Sequence, residues 1–110
     1  MLIHERSINN STVLTISGWF DRQAKEEIQA ILEHLDENHS SQLIINLEQV
    51  SYMDSAGVGY LCMLYQTLQK RGIQFSLLNP QPDVRQILRI AGIGNLAKIF
   101  TSEHEALAAN

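Results

Sequence analysis

The chain has 110 residues, 45% of them hydrophobic and 18% charged, which suits one domain with a single buried core. Its net charge of −4 and pI near 5.4 argue against nucleic acid as a partner, because phosphate binding needs clustered Lys and Arg. No apolar run reaches the roughly 18–20 residues that span a bilayer, the N-terminal MLIHER lacks a signal-peptide core, and the lone Cys62 permits no internal disulfide; the chain therefore reads as a cytoplasmic protein with no membrane insertion.

Residues 2–7 and 11–17 read as two strands joined at Asn9-Asn10, a pair that favours left-handed turn geometry and hence a hairpin. Gly18 is expected to end the second strand. Trp19 and Phe20 follow, and Asp21 stands at a good N-cap position for a helix over 22–36. Ala24, Ile28, Ile31, Leu32 and Leu35 recur on one face of that helix. The polar segment Asp36 to Ser41 reads as a loop, with His34 and His39 as surface residues. Leu43-Ile44-Ile45 is a continuous apolar run, so residues 42–47 read as a strand buried on both faces.

A short polar junction, Asp54-Ser55, leads into a helix over 56–71. This places both residues where a strand's carboxyl end meets a helix N-terminus, the customary position for anion and ligand chemistry. Ser55 can cap the helix through its hydroxyl. It can equally carry a phosphate, adding about −1.5 to −2 charge. Leu61, Leu64, Tyr65 and Leu68 form the helix stripe assigned to the core. Val58, Tyr60, Cys62 and Met63 surround it, either as a wide core face or as a docking patch near Ser55. No basic residue or histidine adjoins Cys62 to activate its thiol.

Gly72 is a C-cap, residues 73–78 read as a strand parallel to 42–47, and Pro82 suits the first turn of a helix whose apolar face is Val84, Ile87, Leu88 and Ala91. Gly92 stops it. A closing apolar segment through Ile99-Phe100 precedes Ser102-Glu103-His104-Glu105, a capping box for a helix over 103–109. No phosphate-binding glycine loop, nucleophile elbow or metal-ligand spacing is present, so no cofactor or metal is expected.

The string from Asn46 to Gly59, NLEQVSYMDSAGVG, resembles the core signature of the STAS domain, in particular of the stand-alone bacterial anti-sigma factor antagonists. The likeness extends over nearly the whole chain in length and element order. It implies an α/β fold with a mixed sheet of four to five strands covered mainly on one face by about four helices. It also implies one domain over residues 1–110. By this resemblance Ser55 is the phosphorylated residue and Asp54, Ala56 and Gly57 form its switch loop; Ala56 stands where many members carry a second hydroxyl. The implied function is a non-enzymatic partner switch. Its partners are an anti-sigma factor that is also a serine kinase of the histidine-kinase-like ATPase type, and a PP2C-type serine phosphatase. Val58, Tyr60 and Met63 are candidate contacts, together with Trp19 and Asp21 from Gly18-Trp19-Phe20-Asp21, where antagonists commonly carry Gly-Glu-hydrophobic-Asp. Trp19 serves either partner binding or coverage of one end of the core. Two rival readings are a subunit of an ABC-type lipid-transport complex and a nucleotide-binding domain.

Overall fold

The computed structural model describes residues 1–38 and 40–109, so His39 lies outside the described residues. Five strands lie in the order in which the chain makes them: β1 (Leu2–Ile8), β2 (Ser11–Phe20), β3 (Gln42–Met53), β4 (Gln74–Leu78) and β5 (Lys98–Phe100). β1 and β2 are antiparallel across the Asn9-Asn10 turn, with Ile8 facing Ser11 and Asn9 at φ 55°. All later pairs are parallel. The sheet is therefore mixed, as the resemblance implied.

Three crossovers carry α1 (Lys25–Asn38, entered through a 3-10 turn over Arg22–Ala24), α2 (Ser55–Lys70) and α3 (Pro82–Ile90). Each crossover steps the same way across the sheet, and right-handed crossovers of one direction must deposit their helices on one face. The larger core cluster reflects this: Ile28 of α1, Leu61, Leu64 and Leu68 of α2, and Val84 and Leu88 of α3 meet Leu43, Ile45 and Leu47 of β3. The opposite face is partly covered by α4 (Glu103–Ala108), whose Ala106 packs with Val13, Ile44 and Leu78. Thus Leu43-Ile44-Ile45 is apolar throughout because its side chains alternate between two covered faces. Buried Gln42 anchors α4 to the sheet: its amide donates to Ala106 O at 2.7 Å and its carbonyl accepts from the Ser11 hydroxyl at 2.8 Å.

Two strands run further than the sequence suggests. β2 does not stop at Gly18; it passes through that residue at φ 99° and continues to Phe20, with irregularities in register at Thr15/Ser17 and Gly18/Trp19. β3 continues from Leu47 to Met53 because Ser17 to Phe20 supply it with a parallel partner. α1 keeps its helical backbone through Asn38, so Asp36 to Asn38 are not loop. Tyr65 is only half-buried. On α3, Val84 and Leu88 face the core, whereas Ile87 is half-buried and Ala91, just past the helix end, is exposed. Among the described residues no helix is long and apolar enough to cross a membrane.

Candidate functional site

The extensions of β2 and β3 end side by side: Phe20 is the register partner of Met53. The next residue of each strand is an aspartate that caps a helical segment. Asp21 Oδ1 accepts from Gln23 N–H at 3.0 Å, and Asp54 Oδ1 accepts from Gly57 N–H at 2.9 Å. Two caps therefore stand together at the carboxyl edge of the parallel strands, the edge at which ligands meet such sheets.

Asp54, not Ser55, is the N-cap of α2. Its extended backbone (φ −112°, ψ −174°) lets its carboxylate reach the third N–H of the helix. Ser55 is then the first helical residue, exposed, and its hydroxyl has no hydrogen-bond partner among the described residues. Ala56 and Gly57 continue the first turn, so the segment expected as a switch loop is helix from Ser55 onward. Gly57 is buried against Phe20 and Met53; a Cβ there would lie 2.2 Å from the Phe20 carbonyl oxygen. This contact seats the whole first turn on the end of β2. Replacing Asp54 by alanine is expected to cost about 1 kcal/mol of stability, whereas asparagine should cost a few tenths. Urea denaturation of both variants checks this, and equal losses would mean that charge rather than capping geometry matters.

Ser55 and Asp54 line a cleft of about 320 Å³ between the start of α2 and the end of α3. Met53 and Val58 contribute from one side, Ile87, Ile90 and Ala91 from the other. Ile90 is 77% exposed, which is unusual for an aliphatic residue of this size beside an apolar cleft. Among the described residues no Lys or Arg lines the cleft; Arg85 and Arg89 lie on the other flank of α3 by helical spacing. Ile87, Ile90 and Ala91 were not singled out by the sequence as site residues.

The remaining candidates divide. Val58 adjoins Ser55 in the cleft. Tyr60 is half-buried and its hydroxyl donates to Arg22 O at 2.9 Å, tying α2 to the turn that follows Asp21. Met63 is half-buried against the main core, two turns along the helix from Ser55. Trp19 does not cover the core: it is 64% exposed, and its ring meets that of its register partner Tyr52 at 5.5 Å and 55°. Tyr52, 47% exposed, is a site residue that the sequence did not reveal. Among the described residues no group of His, Cys, Asp and Glu is placed to hold a metal ion.

Residues 3–106 match the STAS domain. The chain belongs to the STAS domain family. This STAS domain is 32% identical over 91 residues to a protein of Lysinibacillus sphaericus named "Anti-sigma F factor antagonist", covering 82% of this chain and 78% of that one. Its fold superimposes on that of the anti-sigma factor antagonist SpoIIAA in the unphosphorylated form with a TM-score of 0.81 and 28% identity, covering 96% and 93% of the two chains. The phosphorylated form of the Bacillus SpoIIAA gives a TM-score of 0.74 at 26% identity, with 98% of each chain covered.

Proposed function

We propose that this STAS domain is an anti-sigma factor antagonist controlled by phosphorylation of Ser55. The observation that carries the reading is the division of labour at the start of α2. Asp54 caps the helix, which leaves the Ser55 hydroxyl uncommitted and exposed on the lip of an apolar cleft. The similarity to an antagonist known in both phosphorylated and unphosphorylated forms supports it.

The physics of the switch follows from the site. An unmodified serine adds little polarity to the Met53–Val58–Ile87–Ile90 surface, so a partner can dry that surface on docking. A phosphate adds about −1.5 to −2 charge. The helix N-terminus tolerates it, because the backbone N–H groups of Ser55 and Ala56 have no intrahelical acceptor. No arginine or lysine of the cleft neutralises it, and the Asp54 carboxylate repels it. The charge therefore stays at the surface, where docking must strip its water, and binding is opposed without remodelling of the fold. In this reading the protein is not an enzyme and acts in the cytoplasm. The unphosphorylated form binds an anti-sigma factor that is also a serine kinase of the histidine-kinase-like ATPase type. A PP2C-type phosphatase restores it. Val58 contributes contact area, Tyr60 and Met63 support the helix that presents it, and Trp19 and Asp21 extend the surface.

The test is incubation of wild-type and Ser55→Ala protein with ATP and each serine-kinase anti-sigma factor of the same genome, read by intact mass. One phosphate on the wild type, absent from Ser55→Ala, is expected. A phosphate that persists on Ser55→Ala, or none from any kinase, sinks the reading.

A further inference from the structure

The Ser55 cleft has two walls, and the cap at Asp54 fixes only one of them. The other belongs to the end of α3, with Ile87, Ile90 and Ala91. Val84 and Leu88 hold that helix to the core. They stand one above the other along its axis, four residues apart. Such a pair resists lifting of the helix far more than rolling or sliding along β3.

A restraint on rolling and sliding lies at the start of α3. β4 accompanies β3 only as far as Asn46, opposite Leu78. The chain then runs through Asn79-Pro80-Gln81-Pro82, and neither proline has an N–H to give to β3. The Gln81 side chain supplies a donor: its Nε2 donates to Glu48 O at 2.8 Å. Gln81 is the N-cap residue of α3, yet it makes no side-chain capping bond. Ser, Thr, Asp and Asn at that position bond their own helix. Glutamine is one methylene longer than asparagine, and here it reaches the neighbouring strand instead. Its backbone is held extended between the two prolines, at φ −61° and ψ 157°. The Asn79 N–H, donating to Phe100 O at 2.9 Å, anchors the same junction to β5. The first turn of α3 is thus tied to β3, the strand that leads into Asp54 and Ser55. We propose that Gln81 is a positioning residue: through its bond to Glu48 O it sets where α3 stands along β3, and hence the spacing of the Ile87–Ile90 wall from Ser55 and Val58. That this spacing serves docking of a partner rests on the partner-switch reading; the tie itself does not.

Two neutral substitutions separate position from stability. Gln81→Met keeps the length of the side chain and loses the donor. Gln81→Asn is too short to reach Glu48 but can cap α3, so it should melt at or above the wild-type temperature. The first readout needs no partner. In carbon–proton correlation spectra the δ1 methyl signals of Ile87 and Ile90 are expected to move in both variants, while those of buried Ile16 and Ile28, on β2 and α1, stay in place. The second readout is steady-state phosphorylation of Ser55 by its kinase. KM should rise about fivefold in both variants, what one ordinary hydrogen bond is worth. kcat should stay within about twofold, because the serine and its cap are unchanged. Unmoved Ile87 and Ile90 signals in Gln81→Asn overturn the proposal, as does a fall in kcat at unchanged KM. If no kinase phosphorylates the wild type, the partner-switch reading falls and the methyl signals alone decide on Gln81. Phosphorylation of the wild type together with unmoved signals and an unchanged KM in both variants removes the tie and leaves Ser55 untouched.

Discussion

Alanine at Gly57 is expected to destabilise the protein by about 3 kcal/mol or more, the upper end of what overpacking costs. The added Cβ would sit 2.2 Å from the Phe20 carbonyl oxygen, 2.8 Å from its Cδ1 and 3.0 Å from Met53 Cγ. The first of these is a backbone atom of a fully buried residue, so no rotamer change relieves it. α2 would have to lift off the end of β2, which also draws the Gly57 N–H away from Asp54. Gly59, two residues on, is the internal control. It is exposed, it is helical, and nothing lies within 4 Å of its would-be Cβ. Gly59→Ala should stabilise by about 0.5–1 kcal/mol through helix propensity alone. Denaturant titrations of the two variants check both signs. A Gly57→Ala protein as stable as the wild type would mean that the start of α2 is free to shift.

Ile90→Asp should leave stability within about 0.5 kcal/mol, as expected for an exposed side chain, while weakening partner binding about 30-fold or more, the loss of one anchor residue. Ile90 is 77% exposed and contributes to the wall of the cleft opposite Val58. A carboxylate there would set a charge against the same dry surface that a phosphate on Ser55 disturbs from the other wall. Calorimetric titration against the kinase found by the phosphorylation assay measures the effect. Unchanged binding would place α3 outside the docking surface and confine recognition to the start of α2.

Where local chemistry decided structure, the sequence was a reliable guide. The Asn9-Asn10 turn, the run Leu43-Ile44-Ile45, Pro82 in the first turn of α3, and Gly72 and Gly92 at positive φ each act through their own backbone or their own alternation. What stayed hidden depends on a neighbour. Glu48 to Ser51 is too polar to read as strand, and becomes strand because Ser17 to Phe20 lie alongside. Gly18 looks like a terminator, yet its left-handed conformation and the register shifts beside it let β2 go on. Both Asp54 and Ser55 are good caps in isolation, and the register that ends β3 at Met53 hands the role to Asp54. Ile87, Ile90 and Ala91 continue an apolar helix face in sequence, but the sheet has room for only Val84 and Leu88. Exposure of Tyr52 and Ile90 is a property of the packed domain, and no local pattern carries it. The motif therefore pointed to Ser55, while the surface around Ser55 became visible only with the helices in place.

The sequential strand order also shapes the life of the nascent chain. Each crossover adds its strand to the edge the previous one left open, so the protein can be assembled from its N-terminus as it is synthesised. Until β4 emerges, β3 is itself that edge, and it presents Leu43-Ile44-Ile45 with unpaired backbone groups. β4 then pairs this edge, α2 joins the cover over Leu43 and Ile45, and Ile44 on the other face waits for α4. A pause while α2 is emerging from the ribosome would thus hold an apolar strand with one edge unpaired, a stage at which a chaperone can shield it.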